Sequence, residues 1–230
     1  MPLDLQSPPR PLLYLITSGQ TTARTTPATK DFLDVLQLLR VAVAARIDLI
    51  QIREKNLSAS VLHQLATSAA GITKGSATKL LINDRSDIAA AAGAAGVHLT
   101  ASSLPTAVVR QTFGAQFLIG VSTHSLAEAS IARRSGADFV VFGPVFETTS
   151  KKEYGEPLGL DNLATICSEL SPFPVLALGG VEIGNVAACI RAGARGVAAI
   201  SMLSDPIQLD RIVSEIREGF ERSKAEGTKV

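Results

Sequence analysis

Residues 191–199 read R-A-G-A-R-G-V-A-A. A helix end passes through a Gly-Ala turn into a short apolar run. The same phrase stands at residues 92–99, A-G-A-A-G-V-H-L, and at residues 134–141, R-S-G-A-D-F-V-V. A chain that repeats helix, turn and strand builds a parallel sheet covered by helices. The question is whether that sheet closes on itself.

The rhythm extends outward from these phrases along the whole chain. Short apolar runs at Leu12–Ile16, 48–52, 79–82, Gly96–Leu99, 117–121, 138–142, 174–178 and 196–200 read as strands. Amphipathic runs at 31–45, from Ser58 onward, 86–92, from Pro105 onward, 125–134, 160–170, 182–192 and 206–222 read as helices. About eight strand–helix units in 230 residues fit an α/β fold of one domain, a closed (β/α)8 TIM barrel. The alternative is an open doubly wound sheet. The turn after the first strand, T-S-G-Q-T-T at residues 17–22, lacks the G-x-G-x-x-G of a dinucleotide-binding sheet. Residues 1–11 and 223–230 read as loose ends of this domain.

Composition agrees. Hydrophobic residues make up 46% and aromatics 4%, with no Trp, so the core is built from Ala, Val, Ile and Leu. A net charge of +1 gives no electrostatic case for nucleic acid. No apolar run approaches the ~18 residues of a membrane span, and the N-terminus lacks the basic-then-apolar order of a signal peptide. Cys167 and Cys189 lie in apolar helical surroundings and read as buried thiols of a reducing, cytoplasmic compartment, with a disulfide left open. The sequence leaves the oligomeric state open, a homo-oligomer included.

In a barrel of this kind the active site lies at the C-terminal ends of the strands. Those positions hold Thr17; Gln51, Arg53 and Lys55; Asn83, Asp84 and Arg85; His98 and Thr100; Ser122 and His124; Gly143; Gly179 and Gly180; and Ile200 with Ser201. The opposite ends are mostly Gly, Ala and Asp. Arg53 and Lys55 alternate on an extended segment, so they share a face while Glu54 points away. Such a pair suits a diphosphate, although R-E-K triplets are also common as solvated loops. Asp84 suits Mg²⁺, or the cap of the next helix. His98 reads as a satisfied core imidazole, and His124 is either structural or reactive. Residues 143–159 form a long polar loop in which Thr148, Thr149 and Ser150 precede Lys151 and Lys152, a pattern suited to phosphate and to a lid.

Taken in order, Q-I-R-E-K at 51–55, I-N-D-R at 82–85, G-V-H-L at 96–99 and G-V-S-T-H-S at 120–125 resemble the thiamine-phosphate synthase family. So do G-P-V-F-E-T-T-S-K at 143–151, L-G-G-V at 178–181 and I-S at 200–201. The family includes a branch of thiazole tautomerases. The resemblance implies a transferase that joins hydroxymethylpyrimidine diphosphate to thiazole phosphate, both small phosphorylated molecules. It implies that Gln51 faces the pyrimidine, that Arg53, Lys55, Asn83, Ser122 and Lys151 surround the diphosphate, and that Asp84 binds Mg²⁺. Thr148, Ser150, Gly180, Ile200 and Ser201 would hold the thiazole phosphate. Arg53, Lys55, Lys151 and His124 would be the catalytic set.

One departure stands out. After G-V-H-L, synthases of this family read G-Q-E-D, and the Asp is a second Mg²⁺ carboxylate. Here the chain reads T-A-S-S, with Ser103 at that place. The tautomerase branch also lacks this Asp and would use His124 as its proton shuttle. A barrel that binds a phosphorylated metabolite without turnover is the third reading.

Overall fold

Odd and even positions of the strands go to two different cores. In β1 (Leu12–Ile16), Leu12, Tyr14 and Ile16 face a cluster that also holds Leu49, Leu81, Phe139, Val141 and Leu176. Leu13 and Leu15 face a larger cluster shared with the helices. Only a closed sheet gives each strand both an enclosed lumen and a helix-covered outside, each lined by alternate residues. This is why the strands read as unbroken apolar runs.

The computed structural model describes residues 10–148 and 156–227, with side chains to 222. β1 is followed by α1 (Lys30–Ala44), β2 (Leu49–Ile52), α2 (Ala59–Thr73), β3 (Lys79–Asn83), α3 (Ser86–Ala91), β4 (Gly96–Leu99) and α4 (Thr106–Phe113). The second half runs β5 (Leu118–Thr123), α5 (Leu126–Arg134), β6 (Phe139–Phe142), α6 (Gly159–Leu170), β7 (Val175–Ala177), α7 (Ile183–Arg191), β8 (Gly196–Ala199) and α8 (Leu209–Gly227). All neighbours are parallel, and β1 closes on β8 with Leu12 opposite Gly196. The fold is a (β/α)8 TIM barrel.

Aspartates lock the register at the floor. Asp48, just before β2, accepts from the Leu13 N–H of β1 at 3.0 Å. Asp138, just before β6, accepts from the Ile119 N–H of β5 at 2.7 Å. Ser58 and Ser125 cap α2 and α5 by accepting from the N–H groups of Val61 and Glu128.

The expected loose ends are shorter than the sequence reading gave. Arg10 forks onto Asp48 at 2.8 and 3.0 Å, and its carbonyl accepts from Arg195. A bidentate guanidinium–carboxylate pair ties residues 10 and 11 to the barrel floor. At the other end α8 continues to Gly227, because S-K-A-E contains good helix formers. It starts at Leu209 rather than 206, since Asp205 accepts from the Ile207 N–H and holds a turn there. Cys167 and Cys189 are both free and buried, and burial pushes their thiols up to about 12 and about 11. Among the described residues no helix is long and apolar enough to cross a membrane.

Candidate active site

The mouth of the barrel begins where the lumen stops being apolar. Continuing the inward positions upward gives Gln51 on β2, Asn83 on β3, His98 on β4 and Ser122 on β5. Gln51 is 2% exposed, and its Nε2 donates to Asn83 Oδ1 at 2.9 Å. Its Oε1 is buried and finds no partner among the described residues. A buried carbonyl oxygen without a donor is what a ligand amine or ring N–H would complete.

Beyond Gln51 the R-E-K segment leaves the strand, and Glu54 and Lys55 both border the cavity beside it. Glu54 is buried, accepting from Thr21 Oγ1 at 2.6 Å and from the Thr21 and Gly19 N–H groups. It therefore pins the loop after β1. Thr17 supports the same strand end: its Oγ1 accepts from the Arg53 N–H at 2.9 Å, and its own N–H donates to the Gln51 carbonyl. Arg53 is half-buried and Lys55 exposed.

A cavity of about 350 Å³ opens beside this segment, lined by Lys55, Asn83, Asp84, Arg85, Thr100 and Ser102 among others. Asp84 has φ +65°, in the left-handed region that Asp tolerates better than most residues. Its N–H donates to the His98 carbonyl at 2.8 Å, which fixes the carboxylate-bearing residue between β3 and α3. Arg85 is drawn onto Asp87 through two contacts of 2.9 and 2.6 Å. Ser103, at the place of the family's second carboxylate, turns back: its Oγ accepts from the Thr100 N–H at 2.7 Å. Ser102 lines the cavity instead.

The oxygens of Asp84, Asn83, Thr100 and Ser102 are hard donors; the cavity's other carboxylate, Glu54, is engaged by Thr21. No cluster of three His, Cys, Asp or Glu able to hold a metal exists among the described residues. The set fits Mg²⁺ shared with substrate phosphates and water, and does not fit an all-protein cage.

On the far side of the mouth a larger cavity of about 660 Å³ is lined by Thr148, Gly180, Ile200 and Ser201. Gly180 has φ +60°, and a Cβ there would stand 2.3 Å from the Glu147 carbonyl oxygen. Only glycine lets the backbone after β7 pass so close to the loop after β6. Ser201 opens a short 3₁₀ turn, Ser201–Leu203, at this cavity, while the start of α7 is closed by the capping box of Glu182 and Asn185. Backbone N–H groups after β7 and β8 in this fold suit a phosphate. Ser150 and Lys151 lie outside the described residues, as do Thr149 and Lys152.

Between the two cavities stands β5. Ser122 Oγ lies 2.9 Å from His98 Nε2, and His98 Nδ1 lies 3.2 Å from the Tyr14 hydroxyl across the lumen. His98 is held near pKa 3 by its burial and, secondarily, by the positive charge of Arg53. It is the satisfied core imidazole that the sequence suggested. His124 is exposed, donates its backbone N–H to Glu128 at 2.7 Å and holds the Gly143 carbonyl through Nδ1. It lines neither cavity. The structure thus brings Gln51, Asn83, Asp84 and Lys55 together on one side and Thr148, Gly180, Ile200 and Ser201 on the other. Tyr14 was missed by the sequence reading. Its signal was available: it is the one polar-tipped side chain in an otherwise apolar first strand.

Comparison with known proteins follows the same outline. The family model described as thiamine monophosphate synthase matches residues 13–203. The thiamine-phosphate synthase of Methanoculleus marisnigri is 40% identical over 190 residues, 83% of this chain and 90% of that protein. That of Chlorobium phaeobacteroides is 34% identical over 215 residues, covering 92% and 98%. The solved structure of thiamine phosphate pyrophosphorylase from Pyrococcus furiosus superposes with a TM-score of 0.71 at 27% identity, covering 89% of this chain and 96% of that one.

Proposed function

The chain belongs to the thiamine monophosphate synthase family, and we infer that it is a transferase of thiamine biosynthesis joining hydroxymethylpyrimidine diphosphate to thiazole phosphate. The observation that carries this reading is the divided mouth: a cation- and carboxylate-lined cavity at β2–β4 and a second cavity at β6–β8 bordered by Thr148, Gly180, Ile200 and Ser201. A reaction between two phosphorylated substrates needs two anion sites facing one reacting centre.

In this reading the pyrimidine sits over Gln51, whose open Oε1 accepts from the ring amine. Arg53, Lys55 and Asn83 hold the diphosphate, with Lys151 assigned to the same group. The CH₂–O bond breaks with its electron pair leaving on diphosphate. The thiazole nitrogen then donates its lone pair to the pyrimidine methylene cation. Charge grows on the leaving group, so cations placed there lower the barrier. Asp84, with Thr100 and Ser102 nearby, would hold Mg²⁺, which supplies further positive charge to the diphosphate when bound. Thr148, Gly180, Ile200 and Ser201, with Ser150, place the thiazole phosphate so that its nitrogen faces the methylene group. His124, tied to the Gly143 carbonyl and to Glu128, is given no step in this reaction.

The test is formation of thiamine phosphate from the two substrates with Mg²⁺, with and without chelator. Chelator-sensitive product is expected. A folded protein that makes none, yet converts the non-aromatic thiazole isomer in a His124-dependent way, would overturn the transferase in favour of the tautomerase.

A further inference from the structure

The chain Tyr14–His98–Ser122 spans the lumen, and its hydrogen positions follow from burial. Tyr14 is fully buried, and its hydroxyl has one hydrogen bond among the described residues, to His98 Nδ1 at 3.2 Å. If Nδ1 carried the imidazole proton, the phenol proton would be buried with no acceptor, the costlier arrangement. The phenol therefore donates to Nδ1. His98 is 2% exposed and meets a hydroxyl at each ring nitrogen with no carboxylate in contact, so burial leaves it one proton to place. That proton sits on Nε2 and is donated to Ser122 Oγ at 2.9 Å. The Ser122 hydroxyl, half-buried at the top of β5, then has its own proton left to give, and His98 cannot take it.

The rings are held in this arrangement. Phe139 meets Tyr14 edge-on, with centroids 5.7 Å apart. Gly120, beside His98 on the next strand, leaves the room they need: a Cβ there would stand 2.8 Å from His98 Nδ1 and 2.4 Å from the Phe139 ring.

We propose that Tyr14 is a positioning residue which, through one fixed tautomer of His98, leaves the proton of the Ser122 hydroxyl free for donation to an anion in the mouth. The proposal rests on the reading above that a diphosphate occupies that side. An acceptor-only group such as diphosphate is matched by a serine whose proton is not drawn inward to His98.

The test reads the tautomer and the anion separately. Two-bond ¹H–¹⁵N correlation spectra of ¹⁵N-histidine-labelled protein resolve the three histidines, with His98 assigned by His98→Gln. The expected wild-type signature is protonated Nε2 and bare Nδ1. Tyr14→Phe should mix the tautomers and weaken binding of inorganic pyrophosphate by about ten-fold, the order of one charge-assisted hydrogen bond. Ser122→Ala should weaken it comparably, and the double variant no further. His98→Gln, whose Nε2–H can still donate to Ser122, should bind pyrophosphate better than His98→Ala. A wild-type His98 protonated on Nδ1 would overturn the relay whether or not any variant folds. So would a Tyr14→Phe protein with unchanged tautomer and affinity. Failure of the wild-type protein to bind pyrophosphate, with the Nε2–H tautomer present, would instead overturn the diphosphate reading.

Discussion

Glu54 and Thr21 meet at 2.6 Å between carboxylate and hydroxyl, both buried, with the Thr21 N–H adding a second bond at 3.1 Å. This contact explains why a core strand runs into R-E-K. The central carboxylate holds the loop after β1 in place, so the flanking cations can face the mouth.

Glu54→Ala should accordingly destabilise the protein by about 3 kcal/mol, because it strands a buried hydroxyl and an N–H of the same residue. Urea unfolding measures the loss, and faster hydrogen exchange at Gly19 and Thr21 localises it. Unchanged exchange there would show that the loop does not depend on Glu54.

Asp84→Asn separates backbone from charge. Asn also tolerates φ near +65°, so the melting temperature should move little. Mg²⁺-dependent turnover should fall by at least about ten-fold once the Asp84 carboxylate is gone. Asp84→Ala should lose turnover and also about 1–2 kcal/mol of stability from the left-handed backbone. Equal rates for wild type and Asp84→Asn would remove Asp84 from the metal role.

Gly180→Ala tests the far cavity. Its new Cβ meets the Glu147 carbonyl, so the loops after β6 and β7 must separate. KM for thiazole phosphate should rise about ten-fold, with KM for the pyrimidine diphosphate within about two-fold. Equal effects on both would mean that the two cavities do not serve different substrates.

His98 gives a pH signature. Its native pKa is about 3, against 6.5 for the exposed group. Below pH 6.5 the unfolded chain binds a proton that native His98 refuses, so stability falls as pH drops from 6.5 toward 3. The slope is up to ~1.4 kcal/mol per pH unit, and His98 contributes no slope above pH 6.5. The stability gap between wild type and His98→Gln should narrow by about 2 kcal/mol between pH 7 and pH 5. A constant gap in urea unfolding would contradict a neutral, buried His98.

What the sequence could reveal follows from what strand parity fixes. Gln51, Asn83 and Ser122 were legible because each ends an apolar run at an inward position, whereas Glu54 and Lys55 lie beyond the strand, where its alternation no longer decides which side chain borders the cavity. The Tyr14–His98 contact joins residues 84 apart across a lumen, and no local pattern encodes which inward side chains meet there. Ser102 and Ser103 are adjacent hydroxyls, and only the turn that engages Ser103 with Thr100 tells which faces the cavity. The extent of α8 was under-read because Ser, Lys and Glu at a chain end look the same whether helical or frayed.

The division of the mouth has a consequence for how the site can vary. One cavity is furnished by strands of the first half of the chain and the other by strands of the second half. Substitutions between residues 144 and 212 can reshape one cavity without touching Gln51, Asn83 or Asp84. A scaffold arranged this way can change the lining of one cavity at a time.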